Sequence, residues 1–115
     1  MDSSDKEKIE KIMRDRKLAH AELNKKSPVY RAFLGMEDKA FADGDLSKRE
    51  KELIAVGISV VINCESCMEW HVHQALLSGA SEQQVIEAIE TGIEMGGGPA
   101  TVSARFALKV LEYHL

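Results

Sequence analysis

Apolar residues recur along this chain with the period of a helix in every segment but one. From Ser4 to about Asn24, Ile9, Ile12, Met13, Ala19 and Leu23 make a narrow apolar stripe in a segment otherwise dense in Lys, Arg, Glu and Asp. Ser4-Asp5-Lys6-Glu7 has the spacing of a capping box, in which hydroxyl and carboxylate each satisfy a free N–H at a helix start. The stripe predicts a helix with one face on the core or on a neighbouring subunit. Its mixed charges do not suit a membrane surface or a calmodulin-type target. Ser27-Pro28 opens a second helix, because proline suits the first helical position. Val29, Phe33, Met36, Ala40 and Phe41 fall near one side of it, and Asp43-Gly44-Asp45 closes it as a turn. Ser47-Lys48-Arg49-Glu50 is a second capping box.

The exceptional segment is Leu53 to Ile62, almost unbroken in apolar residues and rich in β-branched ones. By itself it reads as a buried strand, and a strand running into C-x-x-C and a helix is the thioredoxin-like arrangement. The capping box just before it favours a helix. No other segment has strand periodicity, and a lone strand has no sheet to join. Apolar on all sides, this third helix is expected to be central. Gly57 costs about 1 kcal/mol relative to alanine in a helix, so its expected use is the close approach of another helix.

A fourth helix is expected from near Asn63, an N-cap residue, to about Ser78, with Gly79 at its C-terminal cap. Met68, Val72, Ala75 and Leu76 form its apolar side, and Trp70 and Leu77 point elsewhere, where a second subunit can meet them. Ser81-Glu82-Gln83-Gln84 is a third capping box, with Val85, Ile86, Ala88, Ile89 and Ile93 inward. Gly96-Gly97-Gly98-Pro99 ends that helix and begins the last, Ala100 to near Tyr113. The glycine run lacks the strand context and lysine of a phosphate cradle, so a sharp reversal and close backbone approach to the site are expected. The reading is an all-α fold of about six helices in a single domain, residues 1–115. Residues 1–26 form an N-terminal helical extension, and a central helix hairpin carries the C-x-x-C.

Composition narrows the function classes. A chain of 115 residues with 15 Lys and Arg against 19 Asp and Glu carries a net charge of −4 and shows no basic patch with interleaved aromatics, so no nucleic-acid partner is expected. The longest apolar stretch, about ten residues, is too short to span a bilayer, and the N-terminus lacks the apolar core of a signal peptide. The only two cysteines share one motif, which fits a reducing compartment and a redox or metal role; the expected location is the cytoplasm.

That motif is Cys64-Glu65-Ser66-Cys67, with His71 four residues after the second cysteine and Glu52 twelve before the first. On a helix starting near Asn63, taking Cys64 as zero, Cys67 falls at about 300° and His71 at about 340°, a single narrow stripe. The first turn of a helix favours a thiolate, and an imidazole one turn beyond Cys67 serves as its base. Once one sulfur becomes a sulfenic acid, the other can close on it as a disulfide. Glu52, beside the apolar run, reads as a buried carboxylate wanting a partner such as a histidine, or as an exposed first-turn residue favoured by the helix dipole. Zinc is the competing reading, through Cys64, Cys67, His71 and His73. His73 lies at about 180° on the same wheel, however, and leaves that set one ligand short. Covalent haem attachment needs a histidine directly after the second cysteine, where this chain has Met68. His20, His73 and His114 read as surface or interface histidines, and Glu65 and Glu69 as solvent-facing.

The pattern Glu-x11-Cys-x2-Cys-x3-His resembles the AhpD-like alkylhydroperoxidases of the carboxymuconolactone decarboxylase superfamily, with Glu52, Cys64, Cys67 and His71 on motif positions. The Gly79-Ala80-Ser81 turn and the helix ending in a glycine run are similar too, and the likeness covers roughly residues 28 to 112. It implies an all-helical homo-oligomer, a trimer or hexamer, whose cysteines cycle between dithiol and disulfide while Glu52 and His71 relay the proton. It implies as partners a small-molecule hydroperoxide and a thiol or dithiol reductant, and no cofactor. The decarboxylase branch lacks the cysteine pair, so its lactone chemistry is not implied. The residues leave open which cysteine attacks; the resemblance leans towards Cys67. Peroxidase members carry a histidine just before the second cysteine, and this chain has Ser66. That departure makes protein disulfide reduction an alternative activity, beside a non-catalytic redox-sensing or zinc-binding oligomer.

Overall fold

A computed structural model describes all residues, Met1–Leu115. It has six helices and no strands: α1 Ser3–Lys26, α2 Pro28–Phe41, α3 Lys48–Val61, α4 Glu65–Leu77, α5 Glu82–Gly96 and α6 Gly98–His114. The ambiguous run from Leu53 is therefore helix to Val61, with Ile62 as its C-cap, as its capping box favoured. Ser47 and Glu50 close that box on α3, Ser81 and Gln84 close one on α5, and Ser27 caps α2 with Pro28 next to it. Only the α1 box is displaced. Asp2 caps the helix and Asp5 reaches back, two residues ahead of the Ser4–Glu7 pairing, because the aspartate pair has the same spacing and extends the helix further.

Helices α3 to α6 enclose the core. Val56 and Val60 of α3, Met68, Val72 and Ala75 of α4, Val85 and Ile89 of α5, and Ala104, Ala107, Val110 and Leu111 of α6 lie in one buried cluster. Burying a side chain of the size of Met68 or Leu111 contributes roughly 2 kcal/mol. Gly57 meets α5 at Gly92, where an added Cβ on Gly92 would fall 2.6 Å from the Gly57 carbonyl oxygen. The backbones touch there, as Gly57 led us to expect. Gly97, at φ 71°, makes the reversal between α5 and α6. Helix α1 lies across α4 and α6 and gives the core one buried residue, Ile9; α2 returns beside it and touches α3.

Two apolar faces stay exposed, and for α3 this corrects the expectation of a central helix. Helix α2 buries nothing, and Val29, Phe33 and Met36 of its apolar side are 80%, 52% and 60% exposed. Helix α3 is covered on one side only, with Ile54, Ile58 and Val61 facing out. No helix is long and apolar enough to cross a membrane.

Candidate active site

The loop between α3 and α4 places the two cysteines. Asn63 does not cap α4 as expected: it takes a left-handed conformation (φ 53°), which a short polar side chain tolerates, and its Oδ1 accepts a hydrogen bond of 2.9 Å from Ser103 Oγ on α6. The helix therefore starts one residue later than read, at Glu65. Cys64 becomes the N-cap, and its Sγ accepts the Cys67 backbone N–H at 3.2 Å. Cys67 keeps the first-turn position that the dipole argument gave it. The two half-buried sulfurs are bonded to each other, with Cα atoms 5.1 Å apart.

Glu52 and His71 come together across the α3–α4 hairpin. The Glu52 side chain is 2% exposed, and its Oε1 lies 2.7 Å from His71 Nδ1. A carboxylate only accepts, so Nδ1 carries the proton and Nε2 of a neutral His71 is left as the basic nitrogen. Glu52 is thus no exposed first-turn residue. Its Oε2 accepts from Lys48 Nζ, also at 2.7 Å. Burial pushes the Glu52 carboxyl up, but the hydrogen bonds from His71 and Lys48 outweigh it and hold the group below its ordinary value. Phe41, at the end of α2, stacks on the His71 ring with centroids 5.2 Å apart and fixes its plane. Sequence reading counted Phe41 only as an apolar face residue and did not single out Lys48. The i, i+4 spacing of Lys48 and Glu52 was the available signal for the latter. Beside the pair, Glu37, Asp38, Phe41, Lys48, Glu52 and Trp70 line a cleft of about 270 Å³.

A second polar cluster occupies another side of α4, and it corrects the reading of Glu69, His73 and His114. Glu69 is buried, 1% exposed. Its Oε1 accepts from Arg16 Nη1 of α1, and its Oε2 lies 2.6 Å from His114 Nε2 of α6. Burial raises the Glu69 carboxyl, and His114 and Arg16 more than reverse this. His73 stacks on His114 with ring centroids 3.9 Å apart, and burial first, then the neighbouring imidazole, lowers its pKa. Arg16 also donates to the Ser66 carbonyl and hydroxyl, so α1 grips the first turn of α4 at the residue just before the second cysteine. Glu65 is paired with Lys8 at 2.6 Å. A zinc set of Cys64, Cys67, His71 and His73 is not assembled, since His73 belongs to the other cluster and the sulfurs bond each other.

Residues 27–110 match the family model described as Carboxymuconolactone decarboxylase family. An uncharacterised protein in the cox locus of Paracoccus denitrificans is 46% identical over 81 residues, 70% of this chain and 73% of that one. An uncharacterised protein of Cupriavidus necator is 43% identical over 82 residues, 71% and 70% of the two chains. Among solved structures, a carboxymuconolactone decarboxylase family protein from Legionella pneumophila is similar over 93% of this chain and 96% of its own, with a TM-score of 0.88 and 30% identity. A protein of the same family from Thermotoga maritima shares the fold, with a TM-score of 0.82 over 90% and 88% of the two chains at 23% identity.

Proposed function

The chain belongs to the carboxymuconolactone decarboxylase family, and on that premise we propose that it is a thiol-dependent peroxidase and disulfide oxidoreductase of the AhpD-like kind. What carries this reading is the Cys64–Cys67 pair closed at the start of α4, one turn from an imidazole whose other nitrogen is tied to a buried carboxylate. In the reduced protein, Nε2 of His71 takes the proton of a thiol, and Cys67 is the favoured nucleophile because it lies within the first helical turn. The thiolate attacks an oxygen of a hydroperoxide and breaks the O–O bond. The sulfur takes up the terminal OH and becomes a sulfenic acid, and the alkoxide leaves, takes the proton from His71 and departs as an alcohol. The second thiol, deprotonated in turn, attacks the sulfenic sulfur; water leaves and the disulfide forms. An external thiol or dithiol donates the two electrons that reopen it. Glu52 stabilises the imidazolium while His71 holds the proton, and no metal or organic cofactor takes part.

Ser66 supports a second activity. The Ser66 side chain, just before the second cysteine, is bonded to Arg16 and offers no further base, an arrangement better suited to exchange with protein disulfides than to rapid peroxide turnover. The exposed faces of α2 and α3 support a homo-oligomer, for which we propose a trimer or hexamer. A groove of about 660 Å³ between α3 and α5, lined by Ile54, Ile58, Val61 and Met95, extends that surface. The assembly is placed in the cytoplasm, where reductant is available.

The test is thiol titration of the reduced protein with and without one equivalent of tert-butyl hydroperoxide, followed by mass spectrometry. Two thiols that vanish together with the mass of two hydrogens support the cycle. Thiols that ignore the peroxide but reduce a protein disulfide would leave the reductase reading in its place.

A further inference from the structure

Glu69 and His73 are one turn apart on α4 and project on the same side of it, and His114 arrives from the end of α6. One donor atom of each lies within 4.8 Å of the other two. We propose that these three side chains form a binding site for a divalent first-row transition-metal ion of the zinc or nickel type, separate from the cysteine pair.

Four observations carry this. The donors are two imidazoles and one carboxylate, a set that suits such ions rather than calcium, magnesium or copper(I). The third donor comes from a different helix, so the ion joins α4 to α6 near the end of the chain. The carboxylate is already oriented: Arg16 holds Oε1 and leaves Oε2 turned to the imidazoles, as a bonded partner behind a metal ligand does. His73 meets the cluster through its stack on His114, at an interplanar angle of 9°, and not through a ring hydrogen bond. The two rings thus stand face to face next to one carboxylate, and an ion is shared by all three donors once His73 turns out of the stack.

Ligand atoms around tetrahedral zinc stand about 3.4 Å apart. The His114 and Glu69 atoms are closer than this already, and His73 has to turn so that its ring plane meets the ion. The proton now shared between His114 Nε2 and Glu69 Oε2 leaves to solvent or moves to Nδ1 as the ion takes its place. Three protein ligands leave a fourth position for water.

The experiment titrates ZnCl2 into the full chain, tag removed and stripped with chelator. Cys64 and Cys67 are both replaced by serine so that no thiol contributes. Calorimetry is expected to give one ion per chain, and thermal melting to rise with saturating zinc. His73→Ala is expected to weaken binding roughly 100-fold and to remove the rise in melting temperature. His73 is only half buried, so this variant keeps its fold, and circular dichroism verifies it. His20→Ala, at an exposed histidine bonded to Tyr30, is expected to bind like its parent. No stoichiometric binding by the parent overturns the site. So does a folded His73→Ala protein with undiminished affinity, or a loss of binding in His20→Ala equal to that in His73→Ala.

Discussion

Glu52 and Glu69 meet the same physical problem in two regions of the molecule. Each carboxylate is almost wholly buried, 2% and 1% exposed, and each divides its oxygens between an imidazole and a fixed cation. Glu52 has His71 and Lys48; Glu69 has His114 and Arg16. A buried charge without such partners costs several kcal/mol, so neither pairing is by itself a sign of catalysis. The difference lies in what stands next to the imidazole. His71 is one turn from Cys67 and flat against Phe41, whereas His114 is flat against another imidazole. The comparison teaches that a carboxylate–histidine pair takes its meaning from its neighbours, thiols in one case and a third metal-type donor in the other.

The comparison breaks most sharply at the thiols. Cys67→Ser leaves both carboxylate clusters in place but removes the sulfur on which the disulfide closes. Peroxide consumption linked to thiol oxidation is expected to fall to the uncatalysed rate, with reduced-state stability little changed. Wild-type turnover in that variant would sink the mechanism. Next comes the relay. Glu52→Gln and His71→Ala are each expected to lower turnover by about 10²-fold, and the double variant by little more, because the two act as a unit. Steady-state rates of the four proteins decide this; losses that multiply would show two independent contributions.

At the second cluster the expected loss is in stability. Glu69→Ala leaves the His114 ring and the Arg16 guanidinium, 6% and 26% exposed, without their shared partner. Breaking such a pair is expected to cost about 3 kcal/mol, the low end for a buried ion pair, because Arg16 keeps its bonds to Ser66 and some contact with water. Urea unfolding at unchanged m-value measures it, and a shift below about 1 kcal/mol would mean that the carboxylate is effectively solvated.

How far each region could be read in the sequence follows from the distance over which its signals act. Caps are local, and so Ser27-Pro28, Ser47–Glu50, Ser81–Gln84 and the reversal at Gly97 were legible. The Glu52–His71 pairing was legible because a hairpin of two helices joins residues 19 apart. The Glu69–His114 pairing, 45 residues apart and dependent on how α6 crosses α4, leaves no trace in the periodicity of either helix. Asn63 misled for a different reason: asparagine suits both an N-cap and a left-handed turn, and the Ser103 hydroxyl on α6 favours the turn. The outer side of α3 was read correctly as apolar and wrongly as central, and the apolar side of α2 was read correctly as apolar, since periodicity tells which residues are apolar but not whether they are covered.

The smallest effect concerns Lys48, the cation that distinguishes Glu52 from a simple carboxylate–histidine pair. Its side chain is 41% exposed, so Lys48→Met is expected to cost less than about 1 kcal/mol at neutral pH. The pH dependence is more telling than the magnitude. The folded-state pKa of Glu52 lies below its ordinary value of 4.5. Its pairing therefore stabilises the fold fully above that value, and the contribution is lost as pH falls through the lowered pKa. Burial pushes this group up, and Lys48 is one of the two partners that bring it down. Without Lys48 burial weighs more, the pKa of Glu52 rises, and the acid loss of stability begins at a higher pH than in the wild type. Thermal melts from neutral to about pH 3 are expected to diverge on the acid side. Superimposable curves would show that His71 alone holds Glu52 ionised, and the two carboxylates would then differ in their cations as well as in their neighbours.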